Sequence, residues 1–244
     1  MTHASLFSGI GGFDLAAEWC GWENVFNCEI DEFCKKVLKK NFPNVIQHGN
    51  IIDQDFSNYK NQINVLSAGF PCQPFSVAGG QLGEQHKHYL VPSMCRVVKQ
   101  ILPRWFVAEN VPGILQSKFR DIWELLFSSL GALGYTWQIF NVPASSVGAK
   151  HERERIWIVS HLDSIGMQGC FKKQILRQRN IPGREISIPF QDAERRFDKF
   201  ESRLCRSLYG IPDGMDRIKS LGNAIVPQIA YSLFKTIEDI EYNL

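Results

Sequence analysis

The sequence predicts an α/β domain built on a mostly parallel β-sheet with helices on both faces. Three observations carry that expectation. Short apolar runs alternate with segments whose apolar residues recur at helical spacing, the order of strand and helix units in a parallel sheet. Runs such as Trp105-Phe106-Val107-Ala108 are apolar at every position, as strands buried on both faces must be. A chain of 244 residues with 44% hydrophobic and 12% aromatic residues can also bury a substantial core.

The elements follow in order. Ala4 to Phe7 is an apolar run that ends in Ser8-Gly9-Ile10-Gly11-Gly12, after which Phe13, Ala16, Ala17 and Cys20 fall at helical spacing: strand, glycine turn, helix. Val25 to Ile30 reads as a second strand, and Asp31 caps a helix with Phe33, Cys34, Val37 and Leu38 on its apolar face. Val45 to Gln47 and Ile63 to Ala68 read as further strands, the latter running into Gly69-Phe70-Pro71-Cys72-Gln73-Pro74, where prolines end regular structure. Met94, Val97, Val98 and Ile101 mark a helix that Pro103 stops before the strand Trp105 to Ala108. A helix over Phe119 to Leu133 ends near Gly131 and Gly134, and strands at Trp137 to Val142 and Arg155 to Ser160 complete the alternation. From Asp163 to Arg206 the pattern dissolves into a stretch rich in arginine, lysine and glutamine, either a small module or a surface insertion. After Gly222-Asn223 and Pro227, a last helix carries Ile229, Ala230, Leu233, Phe234 and Ile237.

Composition excludes several classes. No apolar run approaches the ~18 residues of a membrane span. The start MTHASLFSGIGG lacks the basic and apolar segments of a secretory leader, so a cytoplasmic location is expected. The seven cysteines are scattered, without a CxxC pair, which argues against a disulfide framework or a metal site.

Parallel sheets bind ligands outside the carboxyl ends of their strands, and candidate residues gather there. The turn Gly9-Ile10-Gly11-Gly12 lets a nucleotide-like ligand approach the backbone, although on its own it serves equally as a tight connection with no ligand. Glu29, at the end of the next strand, can accept hydrogen bonds from ribose hydroxyls. Cys20, Cys28, Cys34 and Cys95 read as small buried hydrophobes, whereas the proline-flanked Cys72 projects at the ligand edge. With a thiol pKa near ~8.5 it needs an activating environment to act as a nucleophile. Glu109 closes an apolar strand before Asn110-Val111, in position for a site or as a solvated loop acid. Arg153 and Arg155 share one side of an extended segment, a charged surface edge by that pattern alone.

Taken together, Leu6-Phe7-Ser8-Gly9-Ile10-Gly11-Gly12-Phe13, Gly69-Phe70-Pro71-Cys72-Gln73, Glu109-Asn110-Val111, Arg153-Glu154-Arg155 and Gly222-Asn223-Ala224 resemble, in order and approximate spacing, the motifs of the DNA (cytosine-5) methyltransferases. The resemblance covers about residues 4–160 and 205–240. It implies a Rossmann-like S-adenosylmethionine-dependent methyltransferase fold, divided as 1–162 for catalysis and cofactor, 163–206 as a short target-recognition region and 207–244 as a segment packing back on the first. It further implies methyl transfer to carbon 5 of a cytosine flipped from duplex DNA. Cys72, followed by Gln73, matches the nucleophile that adds to carbon 6. Glu109 matches the acid that holds the base edge, and Arg153 and Arg155 match the arginines that steady both. Phe7, Gly9, Ile10, Gly11, Gly12, Glu29, Ile30, Asn50, Ile51, Leu90 and Asn223 match the cofactor pocket. The loop from Phe75 to Tyr89 matches the mobile active-site loop, and no metal is implied.

The implied partners are double-stranded DNA and, for a chain acting in a restriction-modification pair, a cognate restriction endonuclease, with the protein itself monomeric. Three positions depart from the family pattern: Ser5 stands where an aspartate often opens the glycine motif, Asn50 where an aspartate commonly meets the adenine amine, and His151 in a place usually held by glutamine. The competing implications are a tRNA cytosine-5 methyltransferase and a catalytically weak DNA-binding regulatory homologue. The formal charge of +2 conceals an asymmetry. Lys172 to Arg206 holds ten Lys plus Arg and five Asp plus Glu, a local +5, which leaves 17 minus 20, or −3, for the rest.

Overall fold

The computed structural model describes residues 1–71, 90–116, 119–147, 154–162 and 224–243. Among these described residues, seven strands and five α-helices follow one another as β1 (Thr2–Leu6), α1 (Gly12–Trp19), β2 (Glu23–Cys28), α2 (Glu32–Asn41), β3 (Ile46–His48), β4 (Val65–Ala68), α3 (Val91–Ile101), β5 (Trp105–Asn110), α4 (Arg120–Ala132), β6 (Tyr135–Pro143), β7 (Glu154–Leu162) and α5 (Pro227–Asn243). The strands form one sheet in the order β3-β2-β1-β4-β5-β7-β6. Every neighbouring pair from β3 to β5 is parallel, while β7 runs antiparallel to both β5 and β6. The reason for the antiparallel end is visible in the chain, because Ala144–Val147 supplies only a short 3-10 turn after β6 and no crossover helix is described before β7.

Side-chain alternation feeds two cores. On one face Leu6, Leu66, Phe106 and Ile158 pack against Met94, Val97, Val98 and Ile101 of α3 and Ile122, Leu126 and Leu130 of α4. On the other, Val65, Trp105, Val107 and Trp157 pack against Phe13, Ala16 and Ala17 of α1 and the apolar positions of α5. Adjacent residues of one strand, Val65 and Leu66, serve opposite cores, which is why these strands are apolar throughout. Phe234 of α5 stacks on Trp22 at a centroid distance of 4.9 Å and lies 6.1 Å from Phe13, and the small Ala16, Ala17 and Ala230 let the two helices approach.

Local signals act where the sequence places them. The Asp31 carboxylate accepts the Cys34 N–H at 3.0 Å and caps α2. Leu102, in the left-handed region at φ 49°, ends α3 just before Pro103. Burial pushes the Cys20 and Cys28 thiols up to about 12, in keeping with packing roles. The strand order reverses between β1 and β4, so a crevice opens at their carboxyl ends, between the turn after β1 and the turn after β4.

Candidate functional site

The turn after β1 is shaped by three residues in the left-handed region, Phe7 (φ 53°), Gly9 (φ 55°) and Gly11 (φ 92°). Glycine is required at the last of these twice over, since a Cβ there would also lie 2.5 Å from the Phe42 ring. The turn is closed by Gly11 N–H donating to Ser8 O at 2.9 Å and Ser8 N–H donating to Cys28 O at 3.1 Å. Glu29 locks it from the next strand. One carboxylate oxygen accepts Gly9 N–H at 2.7 Å, and the other accepts Ile30 N–H and Asp31 N–H, each at 2.8 Å. A Cβ at Gly9 would meet nothing within 4 Å, so space lies directly over the turn. Gly12 instead admits Ile225, whose Cβ would be 2.9 Å from an added methyl; the same side chain covers Gly69 after β4. The segment before α5 is thereby brought to the crevice between the β1 and β4 turns.

The loop after β3 flanks this turn. Ile30 is 65% exposed, whereas Ile51 is buried in the core. Asn50 is engaged locally, its Oδ1 accepting Ile52 N–H at 3.1 Å and its Nδ2 donating to Asp53 at 2.7 Å. Arg96 of α3 clamps the loop by donating to Ile51 O at 2.5 Å and Gln54 O at 3.0 Å. Half-buried Leu90 precedes α3.

Across the crevice, Glu109 is the penultimate residue of β5 and only 7% exposed. Arg155, second in β7, places its Nε 2.9 Å from the Glu109 carboxylate. The antiparallel register, which pairs Glu109 with Trp157 and Asn110 with Ile156, brings the first residues of β7 to the carboxyl end of β5. Asn110 then ties this end to β4, its Nδ2 donating to Phe70 O at 3.1 Å, two residues before Cys72. A continuous edge results. It runs from Glu29 through the Phe7–Gly12 turn to Gly69, whose Cβ position lies 3.7 Å from Phe7 O, and on through Phe70 and Asn110 to Glu109 and Arg155.

Cys72, Gln73, the 75–89 loop, Arg153, Asn223 and the 163–206 region lie outside the described residues. Among those described, Phe7, Gly9, Ile10, Gly11, Gly12 and Glu29 share the first cluster, and Glu109 and Arg155 the second. No group of three or more His, Cys, Asp or Glu able to hold a metal is found among the described residues.

Sequence reasoning missed a polar network beneath the glycine turn. Ser5 Oγ donates to both carboxylate oxygens of fully buried Asp14, at 2.9 and 3.0 Å, and lies 2.6 Å from Ser8 Oγ. His3, also fully buried, bonds Asn24 Oδ1 through Nδ1 at 2.6 Å and Ser67 Oγ through Nε2 at 2.8 Å. Asn24 Nδ2 in turn donates to Asp14 O. Burial lifts Asp14 to about 7 and lowers His3 to about 4. The available signal was His3 and Ser5 at alternate positions of a strand otherwise apolar in its buried residues.

A family model described as C-5 cytosine-specific DNA methylase matches residues 1–202. The chain is 38% identical over 165 residues to the type II methyltransferase M.Eco47II of Escherichia coli, covering 65% of this chain and 39% of that protein. It is 30% identical over 169 residues to M.HhaI of Haemophilus parahaemolyticus, covering 69% and 51%. Among solved structures it resembles a protein described as a DNA modification methyltransferase encoded within an E. coli prophage, with a TM-score of 0.56 and 29% identity over 66% of this chain and 46% of that one. The S. pombe Dnmt2 methyltransferase shares the fold, with a TM-score of 0.58 at 18% identity over 77% and 57%. The chain spans 39% to 51% of the two curated relatives.

Proposed function

The chain belongs to the C-5 cytosine-specific DNA methylase family, and from that premise we propose that it methylates carbon 5 of a cytosine flipped out of duplex DNA, using S-adenosylmethionine and Cys72 as nucleophile. The observation that carries the reading is the buried Glu109 carboxylate paired with Arg155 at 2.9 Å on the same sheet edge as the glycine turn, with Asn110 fastening the segment that leads to Cys72.

The residues present fit the cofactor. The open space over Gly9 admits a ligand to the backbone, and the Glu29 carboxylate, anchored by three backbone N–H groups, keeps lone pairs for ribose hydroxyls. The Phe7–Gly12 turn and Glu29 would hold its sugar and methionine portions, Ile30, Asn50 and Ile51 its adenine, and Leu90 and Asn223 would complete the pocket. When bound, it supplies an electrophilic methyl group on a sulfonium.

The chain's own residues do the rest. Carbon 5 of cytosine is a poor nucleophile, and addition of the Cys72 thiolate to carbon 6 makes it enamine-like. Glu109 holds the exocyclic amine and the N3 edge and shares a proton with N3 as charge enters the ring. Arg155 fixes the Glu109 carboxylate, and Arg153 is the second arginine that the family resemblance assigns to this role. Loss of the carbon 5 proton and expulsion of Cys72 then regenerate the thiol. Flipping the base costs a few kcal/mol, recovered in contacts with the pocket. In this reading residues 163–206, at +5 between Lys172 and Arg206, meet the phosphates, and residues 207–244 return to the catalytic body. Relatives named type II methyltransferases make a cognate endonuclease a natural partner and the cytoplasm the natural place of action. Incubation with methyl-labelled cofactor and a mixed-sequence duplex should label cytosine, and Cys72→Ser should abolish it; no label above the variant's level overturns the proposal.

A further inference from the structure

Asp14 is a fully buried carboxyl that the mechanism above does not use. It occupies the first turn of α1, where the helix N-terminus favours negative charge. Its side-chain partner is a hydroxyl, not a cation: Ser5 Oγ, at 2.9 and 3.0 Å from its two oxygens. Ser5 Oγ is 2.6 Å from Ser8 Oγ, at the short end for two hydroxyls. Ser8 Oγ accepts the Cys28 N–H at 3.0 Å and has longer approaches, 3.1 and 3.2 Å, to the carbonyls of Ser5 and Cys28. The next residue is Glu29, whose carboxylate holds Gly9.

The direction of this relay depends on one proton. With Asp14 ionised, every donor points the same way: Cys28 N–H to Ser8, Ser8 to Ser5, Ser5 to the carboxylate, and the last bond is charge-assisted. With Asp14 protonated, its O–H donates to Ser5, Ser5 turns toward Ser8, and Ser8 must fall back on the longer carbonyl contacts. The relay spans the ends of the turn, from β1 to the β2 residue beside Glu29.

We propose that Asp14 is a positioning residue of the cofactor turn: its ionised carboxylate sets the Ser5–Ser8 relay that holds Phe7–Gly11 against Cys28 and Glu29, so that cofactor binding tightens as Asp14 loses its proton. The inference rests on the cofactor reading given above. Burial lifts the free carboxyl to about 7, which brings this proton into the neutral range. The charged and titratable groups around it are Glu18 on its own helix, His3 of β1 reached through Asn24 of β2, and Glu29 past the far end of the relay. From α5, Phe234 packs near Phe13 and His3, while Lys235 and Glu238 engage each other and Trp22. His3, lowered to about 4, stays neutral over the range in which Asp14 titrates.

Two readouts test this on the full chain. In the cofactor-free protein, the amide resonances of Ser8 and Cys28 should follow a titration near neutrality that is absent in Asp14→Asn. With S-adenosylhomocysteine as the calorimetric probe, wild-type affinity should fall about three- to tenfold more than that of Asp14→Asn between about pH 8.5 and about pH 6, up to tenfold for each pKa unit by which binding favours the ionised form. Ser8→Ala, which interrupts the relay and leaves the carboxyl in place, should lose the same pH dependence, and serves if Asp14→Asn does not fold. Parallel profiles in wild type and Ser8→Ala overturn the inference while leaving the cofactor reading standing. Amides that titrate in a protein that binds no probe at any pH overturn the cofactor reading and the proposed link to binding.

Discussion

The two halves of the sheet bury carboxyl groups by opposite means. Under β1, β2 and β4, Asp14 is fully buried with only neutral side-chain donors, and burial lifts it to about 7. At the end of β5, Glu109 is nearly as enclosed, but a guanidinium stands 2.9 Å away. Hydroxyls can point either way, so a carboxyl among them can exchange its proton without leaving a donor or acceptor stranded. A guanidinium has only donors and cannot be deprotonated in proteins, so it defines the acceptor opposite it. The glycine-turn half therefore surrounds its carboxyl with groups that can reverse their hydrogen bonds, and the β5 half sets its carboxyl against a donor that cannot.

The sharpest way to break this contrast is to remove the cation. Arg155→Ala should cost about 3 kcal/mol of unfolding free energy, the lower end for truncating one partner of a buried ion pair because a fifth of the Arg155 side chain is exposed. Arg155→Lys should lose less, since a point charge replaces the fork but keeps its sign. Denaturant midpoints check both. A loss below about 1 kcal/mol for the alanine variant would place the pair among surface ion pairs and remove the distinction between the halves.

A middle-sized effect sharpens the other side. Burial holds the folded Asp14 carboxyl above the ordinary aspartate value of 3.8, so its stabilising contribution is complete at low pH and is lost as pH rises through about 7. Burial holds the folded His3 imidazole below the ordinary histidine value of 6.5, so its contribution is present above that value and is lost as pH falls through about 4. Between those limits the slopes oppose each other. Asp14→Asn should leave stability rising with pH relative to wild type, and His3→Gln should leave it falling, each by up to about 1 kcal/mol per pH unit. Urea midpoints across the acid range read the differences. Equal slopes in both variants and wild type would show that neither group titrates as its burial requires.

The contrast also explains what was legible in the sequence. The strand and helix order, the parallel central strands and the α5 apolar stripe follow from periodicity, because burial on a face imposes it directly. The stated element ends moved by at most two residues, β6 beginning at Tyr135, whose hydroxyl donates to Pro103 O and which pairs with Leu162. Glu109 and Arg155 were singled out by the family resemblance, since the residue pattern alone left the first open and made the second a charged surface edge. Asp14, in the first turn of a helix, was indistinguishable from an ordinary surface acid, and only the packing of α1 on β1 encloses it. That the Asn50 amide oxygen accepts Ile52 N–H is a local bond that composition cannot reveal.

Asn50 also supplies the smallest test, because it partners a third carboxyl, Asp53, under the opposite condition of exposure. Its Nδ2 donates to Asp53 at 2.7 Å, a neutral donor as at Asp14, but in water. In Asn50→Asp the bond from Ile52 N–H survives, since a carboxylate oxygen accepts as the amide oxygen did, while the donor to Asp53 is replaced by a like charge. Water and salt screen that repulsion, so affinity for S-adenosylhomocysteine should change by less than about threefold, and the change should shrink as ionic strength rises through about 0.15 M. Calorimetry at low and high salt measures it. A salt-independent change of tenfold or more would mean that partner chemistry matters as much at the rim as in the interior, and burial would no longer account for the difference between Asp14 and Glu109.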